Sequence, residues 1–291
     1  MKRFLIYILI VATLLTLSAC TVQEAKPHIA VTTMPVYTFT QALCQDTPLQ
    51  VDLLVQENVS CLHDYTLSVR HMKLLERADL IVISGGGLED FLTDILSVRN
   101  HVIDASAGID LHCVEDPIHH DHGHHHDLDP HFWLSIKHAR QMSQTICDDL
   151  CLQYPHYSAQ FKKNMTNLAQ QFDELSSYAQ TQLSNLKLRQ LITFHDGFSY
   201  MAEEFDLSIL HAIEEESGSE ASAKDLIEIC NLVTDHQLPA VFTEKNGSDA
   251  AAKIICRETG CKLFTLDMAM SGSNYFEAMY ANINTLKEAL E

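Results

Sequence analysis

Seven of the chain's 17 histidines lie between Pro117 and Trp133. Six of the seven fall in a polar run without hydrophobic periodicity, which predicts a loop. These six are His119, His120, His122, His124, His125 and His126. Neutral imidazole keeps a free nitrogen lone pair near neutral pH, so a tract dense in His and Asp can bind and release divalent cations such as zinc. The alternative is a solvated tract that binds nothing.

Four other side chains lie near the ends of predicted strands or in the loops that follow them, where ligands bind in open α/β sheets. They are His63, His131, His195 and Asp267. Three imidazoles and one carboxylate are a natural zinc set, whereas manganese prefers oxygen-rich shells. A closed shell of four ligands leaves no position for a catalytic water, so we expect binding rather than catalysis.

Apolar runs rich in Val, Ile, Leu and Phe alternate with helical patterns along the chain. The alternation predicts an α/β protein of two lobes, each a mostly parallel sheet flanked by helices. The strands of the first lobe are expected at residues 29–33, 51–55, 80–84 and 102–105. Those of the second lobe are expected at residues 191–194, 207–212, 240–243 and 263–266.

A helical pattern without internal Gly or Pro runs from residue 157 to about 186, with its apolar residues on one face. A helix of this length spans roughly 45 Å and joins the lobes at a fixed separation. Two shorter helices with a bend are the alternative. The expected divisions are an N-terminal lobe at 28–135 with its His-rich loop at 118–128, linking helices at 136–188, and a C-terminal lobe at 189–291.

The N-terminus predicts export. A positively charged start precedes an apolar run at residues 4–17, which is too short to span a bilayer comfortably, so residues 1–19 read as a signal peptide. Cys20 follows Leu-Ser-Ala and resembles the cysteine of a bacterial lipobox. This resemblance implies lipidation of Cys20 and a tether at residues 20–27, in the periplasm or on the outer face of the cytoplasmic membrane. An ordinary signal peptide with an unmodified Cys20 is the alternative.

The chain is strongly acidic. Its formal net charge of −20 becomes −22 when the signal peptide removes Lys2 and Arg3. Such a surface repels phosphate backbones, which argues against a nucleic-acid partner, and attracts cations. Eight cysteines besides Cys20 permit disulfides in an exported chain, and Cys256 and Cys261 are one plausible pair.

Several motifs resemble those of one known family. They are Cys-Leu-His-Asp-Tyr at 61–65, Asp-Pro-His-Phe-Trp-Leu-Ser at 129–135, Phe-His-Asp-Gly-Phe-Ser-Tyr at 194–200, and Leu-Asp at 266–267. With the His-rich insertion and a closing helix at 275–290, they make the chain resemble the metal-binding lipoproteins of zinc and manganese ABC importers. This is the ZnuA, TroA and PsaA group of solute-binding proteins, and the resemblance covers most of residues 28–290.

The resemblance implies a two-lobed fold bridged by a long helix, with His63, His131, His195 and Asp267 as the metal ligands. It also implies zinc as the cargo, with Mn²⁺ or another divalent metal as alternatives, and an ABC transporter permease as partner. Many relatives carry Pro or an acidic residue just before the first ligand histidine, whereas this chain has Leu62 there. We expect a lipid-anchored monomer that captures metal between its lobes and is not an enzyme.

Three other functions stay open at this stage. A buffering or storage lipoprotein would use mainly the His-rich loop, and an adhesin role is open to any surface lipoprotein. A zinc-dependent hydrolase is disfavoured, because no histidine is followed by Glu and the His-Glu-x-x-His motif is therefore absent. The run at 120–125 only superficially resembles the His-x-His-x-Asp-His motif of metallo-β-lactamase-like enzymes, since His124 occupies the Asp position.

Overall fold

The computed structural model describes residues 26–56, 62, 65–113, 128–214, 222–270, 272 and 274–291. Two four-stranded sheets form its centre, and all the strand pairings within them are parallel. Strands of parallel sheets are covered on both faces and therefore read as nearly continuous apolar runs. The predicted α/β fold of two lobes is confirmed.

The first sheet has the order β2-β1-β3-β4. Its strands are β1 (His28–Val31), β2 (Gln50–Leu53), β3 (Leu80–Ile83) and β4 (Val102–Asp104). The helices of this lobe are α1 (Met34–Leu43), α2 (Val69–Arg77) and α3 (Thr93–Leu96). The carboxyl ends of the strands share one edge of the sheet because the strands run parallel.

Two helices connect the sheets, α4 (Ile136–Gln153) and α5 (Ser158–Leu183). The 26 residues of α5 form one helix, as predicted, rather than two shorter helices with a bend. Its buried stripe includes Phe172, whose ring lies 5.6 Å from that of Phe39 on α1. The Phe39 ring is in turn 5.0 Å from that of Tyr275 near the C-terminus. The long helix therefore packs against elements from both ends of the chain.

The second sheet has the order β6-β5-β7-β8. Its strands are β5 (Gln190–His195), β6 (Ser208–Glu214), β7 (Ala240–Glu244) and β8 (Lys262–Leu266). The helices are α6 (Ser199–Glu204), α7 (Ala223–Asp235), α8 (Ala250–Thr259) and the closing helix α9 (Tyr275–Leu290). Each predicted strand is present to within two residues at either end. The short helices α3 and α6 were not predicted.

Some predictions fall outside the described residues: the signal peptide, Cys20, His63 and the six loop histidines at 119–126. In the described part of the chain, no helix combines the length and the apolar character needed to cross a membrane. The sulfur atoms of Cys256 and Cys261, the plausible pair, lie 3.3 Å apart as free thiols.

Candidate metal centre

His195 is the last residue of β5, the strand at which the chain order of the second sheet reverses. Ligands of open α/β sheets bind at such switch points, beyond the carboxyl ends of the strands. The apolar residues of β5 are buried, and the His195 side chain that follows them is only 9% exposed. The strand therefore places one imidazole at the edge of the sheet, as the sequence predicts.

His131 lies just before a short 3-10 turn, Phe132–Leu134, that leads into α4. The indole Nε1 of Trp133 donates to the carbonyl oxygen of Met268 at 2.8 Å, which ties this turn to the second lobe. All three turn residues are buried, and His131 is 1% exposed. Packing of this apolar turn thus holds the His131 ring close to the carboxyl edge of the second sheet.

The imidazole rings of His131 and His195 are in contact. The Nε2 atoms of His131 and His195 are 3.3 Å apart, and the ring planes are nearly perpendicular at 88°. Two nitrogen ligands at a typical Zn–N distance in a tetrahedral shell are separated by about 3.3 Å. The distance between the nitrogens is therefore the one that a tetrahedral zinc ion requires.

Asp129 fixes the His131 ring. Its Oδ1 accepts hydrogen bonds from the backbone nitrogen and from Nδ1 of His131, both at 2.9 Å, and its Oδ2 accepts one from the Ser199 hydroxyl at the start of α6. Burial raises the pKa of the Asp129 carboxyl, but the hydrogen bonds from His131 and Ser199 outweigh burial and hold the pKa below its usual value. An ionised carboxylate only accepts, so the His131 proton lies on Nδ1 and Nε2 keeps its lone pair.

Asp196 lies next to the His195 ring, as Asp129 lies next to the His131 ring. Nδ1 of His195 lies 3.5 Å from Oδ1 of Asp196, and a carboxylate there favours the tautomer with the proton on Nδ1. The Nε2 lone pairs of both rings then point towards the same space. Two lone pairs at this distance repel each other unless a proton or a metal cation lies between them, so the pair is suited to a borderline divalent ion.

A glycine permits the close approach around His131. A Cβ atom at Gly197 would lie 2.9 Å from Cγ and Nδ1 of His131 and 2.7 Å from Cε of Met268. Contacts this short do not occur in real proteins, so any larger residue at 197 would displace the ring or the Met268 side chain. Gly197 belongs to the same motif as His195. This motif therefore supplies one imidazole and leaves room for the other.

Asp267 follows β8 directly, as predicted, and its side chain is 12% exposed. Its Oδ2 accepts a hydrogen bond from Nζ of Lys245 at 2.8 Å, and its Oδ1 accepts one from the backbone of Ala269 at 2.9 Å. Among the described residues, no three metal-ligating side chains converge closely enough to hold an ion. The structure thus brings His131 and His195 together, while the carboxylate of Asp267 is paired with Lys245.

Sequence reasoning missed two features of the site. Asp129 was noticed only as part of a motif, although its place two residues before His131 was a signal for a ring-orienting acceptor. Lys245 was not noticed at all, although it lies two residues after the end of a predicted strand. Glu244, a second carboxylate at this strand end, packs against Gly247, where an added Cβ would lie 2.5 Å from its Cγ.

Two parallel sheets joined by a long helix, with paired imidazoles at the strand ends, define a two-lobed metal-binding class. Comparison with known proteins agrees. The chain is 29% identical over 297 aligned residues to the zinc-binding lipoprotein AdcA of Streptococcus pneumoniae, covering 95% of the chain and 59% of that relative. It therefore spans little more than half of the relative's length.

The fold matches a crystal structure of ZnuA with a TM-score of 0.82 at 25% identity, covering 92% of this chain and 100% of that one. It also matches the Zn(II)-bound ZnuA-like domain of Streptococcus pneumoniae AdcA, with a TM-score of 0.76, 26% identity and coverage of 91% and 99%. The model of the ZnuA family, described as the periplasmic component A of the zinc-uptake complex, matches residues 29–289. The chain belongs to this family, a family of metal-binding transport components rather than of enzymes.

Proposed function

We propose that this protein captures a divalent metal ion outside the cytoplasm and delivers it to the permease of an ABC importer. Zinc is the first candidate for this ion. The observation that carries the proposal is the 3.3 Å separation of the Nε2 atoms of His131 and His195, which matches a tetrahedral zinc shell. Membership of the zinc-uptake family supports both the cargo and the kind of partner. Manganese and other divalent metals are weaker candidates because imidazoles dominate the proposed ligand set.

His63 and Asp267 are proposed to complete the shell. Asp267 lies at the carboxyl end of β8, on the sheet whose β5 carries His195. The carbonyl oxygen of the neighbouring Met268 accepts a hydrogen bond from Trp133, so the Asp267 backbone is held near the turn that follows His131. Four ligands close the shell, which favours binding and delivery over catalysis.

The tether is proposed to be lipid. Lipidation of Cys20 would hold the protein at the outer face of the cytoplasmic membrane or in the periplasm, because several acyl chains anchor firmly. The body of the protein would act there as a monomer.

The test is a competitive zinc titration of residues 21–291 against a chelator of known affinity. His131→Ala should abolish tight binding, because it removes one ligand and leaves the His195 imidazole without its partner. The matched control is His156→Ala, at an exposed position between α4 and α5. Unchanged affinity in His131→Ala would refute the site.

The second candidate function is zinc buffering by the loop at 118–128, and the density of histidines in that loop is the observation that favours it. Deleting residues 119–126 separates the two functions. If the cleft is the site, one tight zinc ion survives the deletion, and only loading speed or capacity falls. If tight binding disappears with the loop, buffering is the better account.

A further inference from the structure

The carboxylate of Asp267 forms an ion pair with the ammonium of Lys245. Nζ of Lys245 donates to its Oδ2 at 2.8 Å, and the backbone nitrogen of Ala269 donates to its Oδ1 at 2.9 Å. Both oxygens are therefore engaged in this state of the protein. A metal ion that takes Asp267 as a ligand must share the carboxylate with the ammonium or displace the ammonium.

Backbone hydrogen bonds hold the main chains of Lys245 and Asp267 next to each other. The backbone nitrogen of Lys245 donates to the carbonyl oxygen of Leu266 at 2.8 Å, which fixes the ends of β7 and β8 side by side. Behind Asp267, the buried amide of Asn282 both accepts from its backbone nitrogen, at 2.7 Å, and donates to its carbonyl oxygen, at 2.8 Å. The backbone of Asp267 is thus held from α9, and only the two side chains of the ion pair can rearrange easily.

The two partners differ in their freedom to move. The Asp267 side chain is 12% exposed, whereas that of Lys245 is 43% exposed. A lysine ammonium is a compact charge on a flexible stem, and a partly exposed ion pair contributes little net stability. Lys245 can therefore leave for solvent at small cost, while the carboxylate stays at the edge of the sheet.

A divalent ion and an ammonium on one carboxylate repel each other. We propose that Lys245 is a built-in competitor for the metal: its ammonium occupies Asp267 in the metal-free protein, leaves when zinc binds, and returns as zinc departs. This rests on the proposed function, in which Asp267 is a zinc ligand. The competition lowers zinc affinity and gives the protein a means of releasing a tightly bound cargo to a permease.

The first test compares zinc affinities of the purified protein by chelator competition. Lys245→Gln removes the competing charge and should bind zinc about 3- to 5-fold more tightly, which corresponds to about 0.7–1 kcal/mol, the upper part of the range for a partly exposed ion pair. Lys245→Arg keeps the charge and should bind no more tightly than the wild type. The matched control is Lys253→Gln, which removes the same charge from an exposed ion pair with Asp249 on α8 and should change affinity less than about 2-fold.

The second test needs no affinity measurement. Acetylation of lysines by acetic anhydride, read by mass spectrometry, should increase at Lys245 when zinc is added, because the ammonium is released from Asp267. Lys253 serves as the internal standard and should not respond.

Failure of this inference is distinct from failure of the proposed function. If the wild type binds zinc through His131 but Lys245→Gln binds no more tightly, or Lys245 is not more reactive with zinc present, the competitor role is wrong. Weaker binding in Lys245→Gln would show that the lysine supports the loaded site instead. If the wild type binds no zinc through His131, the proposed function itself fails.

Discussion

The hydrogen bonds between Asp129 and His131 give the sharpest prediction. In Asp129→Asn the side chain keeps its shape, and an amide oxygen can still accept from Nδ1 of His131. The negative charge is lost, however, and hydrogen bonds to charged acceptors are roughly twice as strong as neutral ones. The His131 ring then becomes a weaker metal ligand and is less firmly held.

The size of the effect follows from this single lost charge. A hydrogen bond to a charged group contributes about 1.5–3 kcal/mol and a neutral one about 0.5–1.5 kcal/mol, so the change costs about 1–1.5 kcal/mol. Zinc affinity should therefore fall about 10-fold, at the lower end of the range typical for partners of ligand histidines. Ser199→Ala, which removes the hydrogen bond to the other oxygen of Asp129, should have a smaller effect in the same direction.

The assay is chelator competition near pH 7.5, with thermal unfolding of the metal-free protein as a check on folding. Asp173→Asn is the matched control, since it removes the same charge from an exposed ion pair with Arg140 on the linking helices. If Asp129→Asn binds zinc as tightly as Asp173→Asn does, the charge of the Asp129 carboxylate does not strengthen His131 as a metal ligand.

Three further predictions concern the surroundings of the site. Gly197→Ala should weaken zinc binding about 10-fold or more in the same titration, because its Cβ would overlap the His131 ring, and adding Met268→Ala should not restore affinity. Burial raises the pKa of Glu89 to about 7, so its contribution to stability is present below its unfolded pKa and is lost as pH rises through 7. Urea unfolding should show wild-type stability falling by up to about 3 kcal/mol between about pH 5 and pH 8, and Glu89→Gln should flatten this profile. Trp133→Phe should lower the free energy of unfolding by about 1–3 kcal/mol, because it leaves the buried carbonyl of Met268 without its donor.

The strands and long helices were predictable because their signals are local. All four residues of β3 and the first three residues of β7 are apolar, and the single apolar face of α5 predicts one unbroken helix. The six residues of α6 are too few to show a period, so this helix was missed although it carries Ser199. Local patterns thus define the sheets but not the short elements that support the site.

The site was predictable in its residue types but not in its pairings. His131 and His195 are 64 positions apart, and their contact depends on how the turn of Trp133 packs against the second lobe. The pairing of Lys245 with Asp267 depends on β7 and β8 being neighbours in the sheet. Neither the packing of the lobes nor the strand order can be read from spacing in the sequence.

We expect one zinc ion to bind between the imidazoles of His131 and His195. A crystal structure of the zinc-loaded protein, with anomalous data collected at the zinc absorption edge, tests it most directly. A single strong peak is expected about 2.0–2.1 Å from the Nε2 atoms of both His131 and His195. A peak found only among histidines 119–126, with these two Nε2 atoms free of metal, would contradict it.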